Sequence, residues 1–178
     1  MSALLDVDSL RVRFQLLGPI RARLAGVENR FLDAVLDVSF QVEAGTTFAL
    51  VGESGSGKST LGRAIIGLVP VASGSVRFGN IEPLGLSGAA LAAYRRDVAM
   101  MFQDPIASLS PRLTVRSLIT EPFSIHGLKD KDLGAEARRL LALVGLPADF
   151  ASRYPHQLSG GQARRVGVAR ALALSPKL

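Results

Sequence analysis

Eight residues, Gly52-Glu53-Ser54-Gly55-Ser56-Gly57-Lys58-Ser59, constrain this chain more than anything else in it. They fit the pattern G-x-x-x-x-G-K-S/T at every fixed position. Glycines let the backbone curl until successive N–H groups converge on an anion. A helix starting near Lys58 adds the positive end of its dipole. The Lys58 ammonium supplies a point charge for β- and γ-phosphates. The Ser59 hydroxyl is placed for Mg²⁺, and Thr60 adds a second hydroxyl. A plain Gly/Ser turn would need one or two glycines and no Lys-Ser after it. The loop therefore predicts a nucleotide site built from Gly52, Ser54, Gly55, Ser56, Gly57, Lys58, Ser59 and Thr60, with no indication yet of what the nucleotide drives.

The flanks suit such a loop. Residues 46–51 are a short apolar run, which predicts a buried strand. Residues 58–68 carry Leu61, Ala64, Ile65 and Leu68 at helical spacing. Upstream, residues 4–14 alternate as a strand, 15–29 form a loop or insertion around Gly18-Pro19 and Gly26, and 31–42 form a second strand with a turn near Asp37. Downstream, 75–78 and 98–102 read as strands, and a helix follows Ser87 to about Arg95. Helices are predicted at 114–126, 132–144 and 160–174, with a connector at 145–155. The pattern is an α/β part followed, from about Asp104 to Ser159, by a helical part inserted in the core.

The chain is 178 residues long, enough for a substantial core, and is 48% hydrophobic. No apolar stretch approaches the length of a spanning helix, roughly 18 residues. Cysteine is absent, which excludes disulfides and thiolate metal sites. The formal net charge is +6. Its arginines are scattered in pairs (Arg95 and Arg96, Arg138 and Arg139, Arg164 and Arg165), with no interleaved aromatic platform. A solvated basic surface is the reading taken, and no nucleic-acid partner is expected.

A second anion site follows at Leu158-Ser159-Gly160-Gly161-Gln162. Ser159 is placed to cap the last helix, and two glycines bare its first N–H groups. An ordinary cap needs no such pair, since interior glycines cost a helix about 1 kcal/mol each. One triphosphate does not easily serve two helix ends of one chain. A dimer in which each chain's second motif closes on its partner's nucleotide resolves this.

With the phosphate loop, Leu158–Gln162 resembles the signature motif of ABC ATPases. That resemblance implies the fold: a P-loop NTPase core, an antiparallel β subdomain and an inserted α-helical signature subdomain. It divides the chain into 1–103 (nucleotide-binding core and β subdomain), 104–159 (helical subdomain) and 160–178 (signature helix returning to the core). It implies ATP and Mg²⁺, with Gln103 as the Q-loop glutamine reaching metal and attacking water, and Ser159, Gly160, Gly161 and Gln162 acting across a dimer. Phe14 falls where the family stacks an aromatic on adenine, with a buried strand-edge phenylalanine as the plainer reading and Phe31 as the other candidate. His126 and His156 read as structural.

The stretches 103–112, 120–127 and 154–158 are similar to those of peptide and nickel importers. This implies an ATP-binding subunit at the cytoplasmic face of the membrane. Its implied partners are a second ATPase subunit, integral-membrane permease subunits and an extracytoplasmic solute-binding protein. The family's Walker B Asp, catalytic Glu and switch His find no counterpart up to Leu178. The expectation is an incomplete sequence that binds ATP without turning it over alone. A non-transport ABC ATPase is the remaining alternative, disfavoured by the residues around Pro111 and Glu121.

Overall fold

The structure, a computed structural model, describes residues 3–18, 23–24, 26, 31–102, 108–128 and 130–178. The chain divides into two compact units, Met1–Leu91 and Ala92–Leu178.

The first unit is built on an antiparallel sheet of order β2-β1-β3, formed by β1 (Leu5–Gln15), β2 (Phe31–Val42) and β3 (Ser73–Phe78). Simple alternation cannot bury both halves of β1. Leu5 and Val7 are buried, and so are Leu10 and Val12, three residues on from Val7 rather than two. A bulge at Asp8–Ser9 shifts the phase. Ser9 takes a φ of 48°, and its N–H donates to Ser39 Oγ at 2.8 Å. Gly74 of β3 lies against this bulge. A Cβ there would sit 2.4 Å from the Ser9 carbonyl oxygen, and its φ of +90° excludes other residues independently. The turn expected near Asp37 is a second bulge instead: Val38 pairs with Leu10 and Val35 with Val12, while Asp37 has a φ of 50°. Charged pairs fasten the sheet's open side. Arg13 forks onto Asp33, and Arg77 pairs with Asp6, so both carboxyls are held below the usual carboxylate range by their arginine hydrogen bonds. Helix α1 (Lys58–Ile65) buries Leu61, Ala64 and Ile65.

Residues 46–51 do not form the buried strand the apolar run predicted. They carry no regular secondary structure, with Phe48, Leu50 and Val51 at 46%, 43% and 89% exposure. A central strand exists only where neighbours take up its N–H and C=O groups. Among the described residues no strand runs beside this segment. The Phe40 ring stacks on Phe48 at 4.8 Å.

In the second unit, α2 (Gly88–Asp97, whose first residues lie in the first unit) leads to residues 98–102, the other predicted strand. That stretch is not a strand either, although Val98 is buried. Its pairing is one step long. Leu178 N donates to the Asp97 carbonyl and Ala99 N to the Leu178 carbonyl, which is the parallel pattern, and a ladder needs more than one such step. Lys177 Nζ reinforces it on Asp97.

The core of this unit is helical. Helices α3 (Val115–Ile125), α4 (Leu133–Leu143) and α5 (Gly160–Ala171) surround Leu118, Ile119, Phe123, Leu140, Leu141 and Val166. Two 3₁₀ turns, Ala148–Ser152 and Pro155–Gln157, bring the chain from α4 to α5. Each helix start has a side-chain cap: Thr114 accepts from Ser117 N, Asp132 from Gly134 N and Ala135 N, and Ser159 from Gln162 N. Pro122 sits inside α3 and Thr120 beside it is buried, its hydroxyl returning to the Arg116 carbonyl. The side of α5 that enters the core is lined by Ala163, Val166, Gly167 and Ala169. Its Arg170 reaches outward to the Glu121 carboxylate and the Ser108 carbonyl.

Candidate nucleotide site

Gly52, Ser54, Gly55 and Ser56 are solvent-exposed, and Lys58 is half-buried at the start of α1. Gly55 and Gly57 take φ values of +84° and +92°, conformations that side chains other than glycine's rarely adopt. The Ser56 N–H closes a turn on the Glu53 carbonyl at 3.2 Å. Gly57 is constrained twice. A Cβ there would lie 2.2 Å from the Ala34 carbonyl oxygen of β2, so this glycine lets the loop rest against the sheet.

Among the described residues no side chain caps α1; the residue at its N-cap is Gly57. Its first-turn N–H groups therefore keep no competing side-chain acceptor. The Lys58 ammonium bends back over the loop. It donates to the Gly52 carbonyl at 2.7 Å, the Glu53 carbonyl at 2.6 Å and Ser56 Oγ at 3.2 Å. An ammonium has three donors, and all three are engaged within the loop. A phosphate oxygen would compete for these same N–H directions. Ser59 is exposed and Thr60 half-buried. These residues fit a nucleotide's phosphates: glycines in the left-handed region, an uncapped helix start and one central cation. They also fit Mg²⁺, which keeps most of its waters and needs only one or two protein oxygens beside the phosphates. The exposed Ser59 hydroxyl could offer one such oxygen.

The second motif stands on the other unit. Ser159 Oγ accepts from Gln162 N at 3.3 Å, and Gln162 Oε1 accepts from Ser159 N at 2.9 Å. This reciprocal pair is a capping box. The resemblance to the signature motif gives Gln162 a part across a dimer, which this contact within the chain does not test. The Gln162 side-chain oxygen is spent locally, and the serine-to-glutamine spacing of three was the signal for that. Gly160 and Gly161 are exposed, and a Cβ on Gly161 would meet nothing within 4 Å. Among the described residues nothing requires a glycine there.

Phe14 is half-buried on β1 opposite Leu32. Phe31, the other aromatic candidate, carries the Arg13 guanidinium over its ring at 5.6 Å. Gln103 lies outside the described residues, as does most of 15–29. Tyr154 and His156 stack at 5.7 Å, and His126 follows α3 as its C-terminal residue.

Comparison with known proteins decides what this loop belongs to. The ABC transporter family profile matches residues 35–178. The chain belongs to that family.

Among its relatives is the glutathione import ATP-binding protein GsiA of Pectobacterium atrosepticum, 47% identical over 98% of this chain and 28% of that protein. Another is the putative oligopeptide transport ATP-binding protein YkfD of Bacillus subtilis, 46% identical over 98% of this chain and 50% of that protein. The chain thus spans between about a quarter and a half of the length of these relatives. Of solved structures, the ATP-binding cassette MJ0796, a dimer bound to ADP and Pi, matches with a TM-score of 0.79 at 28% identity, covering 97% of this chain and 70% of that one. The fold is therefore that of an ABC ATPase cassette, α/β with an antiparallel sheet and a helical part. No helix among the described residues is long and apolar enough to cross a membrane.

Proposed function

We propose that this chain is the nucleotide-binding part of an ATPase that energises uptake of a peptide-like solute. The observation that carries the reading is the loop over α1: Lys58 held above an uncapped helix start by three acceptors of its own loop. That arrangement suits the β- and γ-phosphates of ATP, and the importers GsiA and YkfD supply the class of solute. Nickel or a related solute is the other cargo within this reading.

The roles follow from chemistry. Gly52, Ser54, Gly55, Ser56 and Gly57 present N–H groups to phosphate, Lys58 neutralises it, Thr60 adds a hydroxyl and Ser59 ligates Mg²⁺ with Gln103. Phe14 stacks on the base. Ser159, Gly160 and Gly161 bring a second helix start to the γ-phosphate of a partner subunit's nucleotide, while Gln162 holds that start in shape. The domain division at 103 and 159 is part of the same reading. So are the membrane permeases, the solute-binding protein and the peripheral position at the cytoplasmic face. Hydrolysis needs a group that orients the water, and Gln103 is the residue of this chain proposed for it.

The experiment is calorimetric titration of the chain with ATP in Mg²⁺, beside the Lys58→Ala variant. Binding by the first and a large loss in the second is expected. Equal affinity would overturn the assignment.

A further inference from the structure

Arg170 occupies the last turn of α5 and makes two contacts in two directions. One nitrogen donates to the Ser108 carbonyl at 3.2 Å, the other to a Glu121 oxygen on α3 at 2.5 Å. Two of the five N–H donors of the planar guanidinium, set at fixed angles, hold both acceptors at once, whereas the shorter reach and single nitrogen of a lysine favour one of them. A cation here is also favoured by the C-terminal end of the α5 dipole. The pair is half-buried, with side chains 33% and 35% exposed, so it is less screened than a fully exposed ion pair.

We propose that Arg170 is a positioning residue: it ties the segment beginning at Ser108 to the helix that begins at Gly160, so that displacement of one is delivered to the other. Three features make the tie a strut rather than ornament. Leu109, next to Ser108, is 4% exposed and plugs the same helical core, so the segment is anchored at its side chain as well as its backbone. Helix α5 packs into the same close-packed core through Ala163, Val166, Gly167 and Ala169, so it moves together with that core. Its start is closed by the Ser159–Gln162 box. A rigid helix carries a tilt at Arg170 to its other end, about 15 Å away at 1.5 Å per residue. That other end is Ser159, Gly160 and Gly161.

The test rests on the functional reading above in one respect only: that a membrane permease stimulates this ATPase. The test uses the full-length subunit with its permease in lipid vesicles, carrying Arg170→Ala, Arg170→Lys or Glu121→Gln. Two quantities are read: the ratio of permease-stimulated to basal ATPase, and amide exchange at 109–113 and 160–163. Arg170→Ala is expected to lower the ratio about fivefold and to speed exchange in both stretches by about fivefold to tenfold, as loss of a charge-assisted pair loosens what it held. Arg170→Lys keeps the ion pair and loses the Ser108 bond, so it should fall between. If Arg170→Ala fails to fold, Glu121→Gln, nearly isosteric, gives the same two readings. An unchanged ratio with unchanged exchange at 160–163 would overturn the proposal. A wild type that shows no permease stimulation would overturn the functional reading instead, and the exchange data would still decide the strut.

Discussion

Lys58 Nζ donates to the Gly52 carbonyl oxygen at 2.7 Å, so the last residues of the phosphate loop are tied to its first. The same ammonium holds Glu53 and Ser56. One cation thus shapes the loop and, in the proposed function, also serves as its phosphate ligand. Removing it should do two things at once. Lys58→Ala should weaken ATP binding roughly ten- to a hundredfold, the range expected for losing a hydrogen bond between charged groups. Lys58→Arg should also bind poorly, because a planar fork cannot satisfy three convergent acceptors and a phosphate in a space made for an ammonium. Calorimetry on both variants measures this.

Ser59 separates metal from phosphate. Ser59→Ala should lower ATP affinity in Mg²⁺ by more than it does in EDTA, because Mg²⁺ holds few protein oxygens and each one lost is felt. The quantity to compare is the ratio of the two dissociation constants in wild type and variant. A ratio that does not move would remove Ser59 from the metal's ligands.

The phosphate loop, the capped start of α5 and the three helices of the second unit were legible in the sequence because each rests on a local rule. Spacing, caps and glycine pattern are properties of a few neighbouring residues. The two apolar runs at 46–51 and 98–102 were not legible in the same way. Apolarity says that a segment wants burial, and a strand also needs a partner at the right distance, which is a property of the rest of the sheet. The bulges at Ser9 and Asp37 were hidden for a related reason. Each shifts the alternation by one residue, and the compensating glycine, Gly74, lies more than sixty residues further along the chain from Ser9. The Arg170–Glu121 tie also joins distant positions, so no short-range pattern announces it.

Asp132 supplies a pH-dependent element. Its carboxylate accepts from Ala135 N and Gly134 N at the start of α4, which pulls its pKa below the ordinary carboxylate value. A depressed folded-state pKa means that the charged cap stabilises fully above the unfolded value, about 4, and that this contribution fades as pH falls through the lower folded value. Asp132→Asn keeps an acceptor for both N–H groups and cannot titrate. The variant's urea midpoint should therefore lose less than wild type's between pH 6 and the acid end. Parallel acid limbs for the two proteins would refute the assignment.

Gly57 and Gly161 make opposite predictions from the same substitution. Alanine at Gly57 must place a Cβ 2.2 Å from the Ala34 carbonyl oxygen with φ at +92°. It should cost about 2 kcal/mol or more, read as a lowered urea midpoint, and it should distort the loop that binds phosphate. Alanine at Gly161 meets nothing within 4 Å, and the residue is the second of helix α5. Replacing an exposed helical glycine should leave stability unchanged or raise it, by up to about 1 kcal/mol. ATP binding by the single chain should survive as well, since the phosphate loop is untouched. What Gly161→Ala and the bulkier, charged Gly161→Asp should lose is ATP-dependent dimer formation by the full-length subunit. If Ser159, Gly160 and Gly161 close on a partner's γ-phosphate, only a bare backbone approaches closely enough, and a carboxylate there repels the phosphate outright. Light scattering with ATP is the measurement: wild type should double its mass, Gly161→Ala should do so weakly and Gly161→Asp not at all. A Gly161→Asp protein that dimerises with ATP as wild type does would show that the open space around this glycine serves no nucleotide.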